Sequence, residues 1–224
     1  STVFDIAYKL ETAGKFALAR HVYEQVAWRY PNNEYADKSR IAVLRTKILA
    51  LEESGDEAGA KAVFDGILND FRGHTHLPSH LMWTAEDYYR LACKAKEKGD
   101  SVLAKKLFDK TQQTLNVVPS KFSASDEVPN AMYLTAESYY QLNDYQQAAD
   151  LFQRVADGYP KFHMAGEALY MVAESYQVLK QSGAVSVTQA DSKIRLAYEM
   201  LINKYPGCRA ATVAKSWLDK NGAK

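Results

Sequence analysis

The stretch YLTAESYYQLNDYQQAADLFQRVADGYP, Tyr133 to Pro160, decides the fold class. Its first half is apolar at helical spacing through Ala136 and Tyr139, and Asn143-Asp144 then interrupts the period. Its second half resumes the period through Ala148 and Phe152, and Pro160 closes it. Proline has no backbone donor and disfavours helix in the residue before it, so Tyr159-Pro160 marks a helix end. The stretch therefore predicts two amphipathic helices joined by a tight polar turn.

Other segments repeat this pattern in phase. Gly14, Gly55, Gly99 and Asn143 stand at the ends of first helices, where residues that reach the left-handed conformation cheaply are favoured. Five residues later come Ala19, Ala60, Ala104 and Ala148, and four beyond those come Tyr23, Phe64, Phe108 and Phe152. An alanine and an aromatic residue one turn apart share a helix face, the first permitting close approach and the second filling the gap to the next unit. Ala7, Ala92 and Ala136 are small at one crossing point of the first helices, with Ile48 the exception. A last unit carries Ile194 and Tyr198 before Pro206, with Gln181 to Gln189 inserted at its turn. Arg72 to Ser79 and Asn116 to Asn130 read as loops, the second holding two prolines, and Lys161 to Lys180 reads as helix. The expectation is all-α: about eleven helices and no strand.

These residues resemble the tetratricopeptide repeat family. The Tyr133 unit carries the family's pattern at Ala136, Tyr139, Asn143, Tyr145, Ala148, Phe152 and Pro160. Gly14, Phe16, Ala19, Tyr23 and Pro31 match its second half; in the middle units Arg72 and Asn116 stand at the closing proline's place. The Ala-to-Ala steps of 41, 44 and 44 residues exceed the family's usual period of about 34. The resemblance implies a right-handed superhelical solenoid of antiparallel hairpins forming a single domain. Its units would be approximately 1–31, 33–72, 79–116, 129–160 and 162–206, with a cap over 207–220. Tyr-Pro endings after long first helices also resemble bacterial cell-envelope members, the outer-membrane assembly lipoproteins and the Tol–Pal coordinator type. That implies the periplasm, with the cytoplasm as the alternative.

In the family the first helices line a concave groove. Carried over by position, Phe4, Arg45, Tyr89, Tyr133 and Tyr170 form one groove column, and Tyr8, Leu49, Cys93, Glu137 and Glu174 the other. Such a groove is aromatic and partly acidic, suited to a protein or peptide partner. The alternative for these tyrosines is packing at hairpin seams. The family's carboxylate clamp uses Lys and Asn here, whereas Phe4, Tyr8 and Tyr89 occupy the columns.

Composition narrows the function classes. The formal net charge is +1, with 28 Lys and Arg against 27 Asp and Glu, so nothing draws the whole chain to nucleic acid. No apolar run reaches the roughly 18 residues of a membrane span. Cys93 and Cys208 are far apart and form no disulfide framework. Ser1 stands first without Met, as in a mature or partial chain. His74, His76 and His80 could supply zinc ligands, but such a cluster is more often a solvated polar loop, so no metal, cofactor or catalytic residue is assigned. The expected function is a non-catalytic interaction scaffold, and self-association is compatible with it. The competing class is an all-α hairpin enzyme, or the recruiting domain of one, using groove carboxylates as acid and base.

Overall fold

Gly14, Gly55, Gly99 and Asn143 all adopt positive φ, between 64° and 80°. Each closes a first helix in the same way. The amide after it reaches back five residues, as from Lys15 to Leu10, Asp56 to Leu51, Asp100 to Ala95 and Asp144 to Tyr139. This satisfies the carbonyls that a helix end leaves open. In three of the turns the next residue is an aspartate whose side chain caps the following helix: Asp56 accepts from Gly59 N, Asp100 from Leu103 N and Asp144 from Gln147 N. A three-residue turn that ends one helix and caps the next leaves only an antiparallel hairpin. At Gly99 a Cβ would meet nothing within 4 Å. Gly99→Ala should therefore cost about 1–2 kcal/mol, from backbone strain alone, readable as a shift of the urea midpoint.

The computed structural model describes residues 2–221; Ser1 lies outside them. Among the described residues there are eleven helices and no strand. They are α1 (Val3–Thr12), α2 (Phe16–Arg29), α3 (Glu34–Glu53), α4 (Glu57–Asp70), α5 (Leu77–Glu97), α6 (Ser101–Lys121), α7 (Val128–Gln141), α8 (Tyr145–Gly158), α9 (Ala165–Gln181), α10 (Val187–Lys204) and α11 (Ala211–Asn221). They fall into two compact units, Ser1–Thr84 and Ala85–Lys224. The in-phase residues form the cores. Ala19, Ala60, Ala104 and Ala148 are buried, as are Tyr23, Phe108 and Phe152, while Phe64 is half-buried. In the first unit Phe4, Ala7, Ala19, Tyr23 and Ala42 pack together. In the second, one continuous core runs from Tyr133 in α7 to Ala214 in α11.

The segments between hairpins share a second regularity that the sequence reading missed. Tyr30, Phe71, Phe122, Tyr159 and Tyr205 each end a second helix. Their carbonyls accept from the amide three residues on, and that residue's carbonyl accepts from the amide three further on. The last amides belong to Ala36, Leu77, Val128, Ala165 and Ala211, all buried. An aromatic residue and a buried apolar residue six positions later thus recur at every one of these connections, the aromatic half-buried except at Tyr30, which is 54% exposed.

This rule corrects three expectations. The helix expected to end at Leu115 runs on to Lys121 with Pro119 inside it. Proline there removes a single hydrogen bond near the helix end, while Leu115 and Val118 become fully buried. The insertion spans seven residues, close to two turns, so Phe122 returns to the face that Tyr30 and Tyr159 occupy in their own units. Phe122-Ser123, not Asn116, stands at the closing position. At the turn of hairpin five, Gly183 supplies the positive φ of 72° and Ser186 caps α10 through Gln189 N; of the insertion, Gln181 ends α9, Ser182 to Ser186 form the turn and Val187 to Gln189 begin α10. Finally, α5 starts at Leu77 and α9 at Ala165, rather than after Ser79 and at Lys161.

Candidate functional site

The two predicted groove columns separate by unit. In the Ser1–Thr84 unit they do not form an open surface. Phe4 is 7% exposed and its ring lies 5.1 Å from Tyr23 and 5.7 Å from Tyr35. Leu49 is buried. Arg45, placed by the sequence reading at one groove end, is buried and ion-paired with Glu11. Long apolar stems let arginine enter a core when a carboxylate meets it there. Only Tyr8 remains exposed, its ring 5.8 Å from Trp83.

In the Ala85–Lys224 unit the columns meet. Tyr89 and Cys93 lie one turn apart on α5, Tyr133 and Glu137 on α7, Tyr170 and Glu174 on α9, so each pair shares a helix face. Tyr133 itself is mostly buried, its ring 5.2 Å from Phe152 and 6.2 Å from Phe162. Tyr89 packs edge-on to Phe108 at 5.5 Å. Tyr170 stacks on Tyr198 at 6.4 Å. Cys93, Glu137, Tyr170 and Glu174 are half-buried.

The electrostatics tie these groups into one patch. Burial pushes the Glu137 carboxyl up, Tyr133 opposes the shift by hydrogen bonding, and the charge of Glu167 adds to it. Burial and the carboxylates of Glu174 and Glu167 push the Tyr170 phenol up to about 12. The Tyr89 and Tyr133 phenols are raised by burial and by Glu137. Burial also raises the Cys93 thiol, keeping it protonated, the wrong direction for a nucleophile. Glu174 Oε1 accepts from Gln177 at 2.9 Å and from the Tyr198 hydroxyl at 3.5 Å. Lys96 of α5 is turned to Gln141, 2.6 Å from its carbonyl and 3.0 Å from Oε1.

Glu167 is the member that sequence reasoning missed. It lies three residues before Tyr170 and seven before Glu174, on the same face of α9. The heptad-like spacing was there to be read, but alignment on the turns selected only two positions per helix. Its neighbour Gly166 allows the last connection to come close. A Cβ there would stand 3.0 Å from Tyr205 Cβ and 3.2 Å from Cys208 Sγ, and that sulfur lies 3.9 Å from Glu167 Oε2.

The three histidines do not assemble. His74 Nε2 is 2.9 Å from Asp37 Oδ2, whereas His80 is buried against Trp83. Among the described residues no group of three or more His, Cys, Asp or Glu is arranged to hold a metal ion. No described helix is long and apolar enough to cross a membrane.

Comparison with known proteins agrees with the hairpin chemistry. Residues 130–161, spanning α7 and α8, match the family model described as Tetratricopeptide repeat. Among solved structures, the chain is similar to the nearly identical TPR-like repeats of a kinesin light chain of Podosopora anserina. That likeness has 14% identity over 91% of this chain and 95% of that one, with a TM-score of 0.41, too loose to inform function. Comparison with curated proteins finds no match.

Proposed function

We propose that this chain is a non-catalytic protein–protein interaction scaffold whose Ala85–Lys224 unit holds a segment of its partner along the tyrosine–glutamate face. One observation supports this best. Glu137, Glu167 and Glu174 are half-buried, and none of the ion pairs among the described residues includes them. Drawing carboxylates out of water without a cation costs free energy. A Lys or Arg side chain entering between Tyr89, Tyr133 and Tyr170 would offset that cost by charge and by contact with the ring faces. The partner is thus an extended or helical peptide segment bearing basic residues. The resemblance to cell-envelope repeat proteins makes the bacterial periplasm the first compartment in which to seek it.

Glu137 is also the residue that an acid–base mechanism would use. However, its neighbours are phenols, a second carboxylate and the Cys93 thiol, which burial holds in the protonated form.

The test begins with affinity capture and mass spectrometry, followed by anisotropy titration with labelled peptides tiled across the captured partner. Glu137→Gln with Glu174→Gln should weaken the best peptide at least about tenfold, or ~1.4 kcal/mol, with helicity unchanged by circular dichroism. Equal affinity in the double variant removes this face as the site. Basic residues in the peptide should matter in the same experiment: replacing them with Glu should abolish binding.

A further inference from the structure

Three histidines open α5 and the turn before it, and their surroundings differ. His74 faces the Asp37 carboxylate at 2.9 Å. His76 lies with its ring 5.6 Å from that of His74. His80 is carried inward: it is 2% exposed, and neither ring nitrogen has a hydrogen-bond partner. Its ring meets Trp83 edge-on at 4.7 Å. The same indole carries the Arg45 guanidinium 5.3 Å from its centroid. The charged and titratable groups acting on His80 are Arg45 and Lys38 from α3, and His76 and His74 from the turn. The carboxylates on these neighbours are already engaged, Glu11 of α1 by Arg45 and by the Tyr23 hydroxyl, and Asp37 of α3 by Arg40 and His74.

The geometry points to an acid-triggered latch: proton uptake by His80 releases the first turns of α5 from the rest of the Ser1–Thr84 unit. An imidazolium at this place would be buried with no acceptor for either N–H and with a guanidinium on the same ring. The proton therefore enters only when the segment opens. Burial, and then Arg45, hold the His80 pKa in the closed state well below the ordinary 6.5. The open state thus binds the extra proton, and closure is fully stable above about pH 6.5 and weakens as pH falls below it toward the closed-state value. His74 differs in having a carboxylate partner, Asp37 Oδ2 at 2.9 Å.

Hydrogen–deuterium exchange of the full chain at pH 7.5 and 5.5, corrected for intrinsic rates, reads this directly. An open-state histidine near 6.5 and a closed-state one that stays neutral give about a tenfold rise in opening at residues 80–84. Residues 146–158 should show no such rise. His80→Phe should abolish the effect and His74→Gln should keep it. A flat profile in the parent, or the same rise in His80→Phe, overturns the latch. Should His80→Phe fail to fold, NMR titration of the parent decides: a His80 ring neutral down to about pH 5 supports the latch, and one titrating within about half a unit of 6.5 overturns it.

Discussion

Phe152→Ala is expected to lower the stability of the Ala85–Lys224 unit by about 3–5 kcal/mol, the range for emptying a fully buried aromatic site. Phe152 is 0% exposed and its ring meets Tyr133 of the facing helix at 5.2 Å. The same core contains Ala148, Val155, Leu169 and Val172, so removing the ring leaves a void bounded by α7, α8 and α9. In a repeat array stability is close to a sum of unit and neighbour terms, and this residue contributes to both. Urea denaturation followed by far-ultraviolet circular dichroism measures the loss. Val102→Ala, at a position 83% exposed, is the control and should stay within about 0.5 kcal/mol. A melt of Phe152→Ala that overlays the parent would contradict the in-phase packing. The first hairpin of the Ser1–Thr84 unit differs: it holds Tyr23 at this position, with its hydroxyl tied to Glu11 at 2.9 Å, whereas the second holds the half-buried Phe64.

The first four hairpins were legible in the sequence because two local rules coincide in each. A residue able to take positive φ stands between the helices, and an alanine–aromatic pair follows at fixed distance. Both depend on nearest-neighbour chemistry, which a single sequence carries. The connections were less legible. Phe71 and Phe122 stand where Tyr30, Tyr159 and Tyr205 end the other second helices, but the conspicuous local signal is the proline beside the tyrosine, which those two connections lack. Pro119 misled for the same reason: near a helix end, proline costs one hydrogen bond, and burial of Leu115 and Val118 outweighs it. The site divides along similar lines. Residues one turn apart, such as Tyr170 and Glu174, could be placed on a common face. Whether a face is open depends on partners distant in sequence. Nothing near Arg45 in the chain announces Glu11, 34 residues away.

Arg45→Met alone should destabilise the Ser1–Thr84 unit by about 3–5 kcal/mol, because it leaves the Glu11 carboxylate buried without its cation. Arg45 and Glu11 are each 1% exposed. Two guanidinium nitrogens, Nε and Nη1, have no hydrogen-bond partner, so Arg45 meets Glu11 through Nη2 and lies over the Trp83 ring at 5.3 Å. A buried ion pair of that kind recovers little more than its own desolvation cost. Removing the charges together should therefore be far milder than removing one. Glu11→Leu with Arg45→Met would strand the Tyr23 hydroxyl, which donates to Glu11, so the informative variant adds Tyr23→Phe. The triple variant is expected within about 1 kcal/mol of the parent, or above it, and the non-additivity between single and triple variants measures the coupling. Losses in the triple variant equal to the sum of the singles would show three independent contributions instead. The outcome also bears on His80. With Arg45 replaced, a proton on that imidazole no longer faces a guanidinium across Trp83, so the acid sensitivity of the α5 start should decrease, the remainder being set by burial alone.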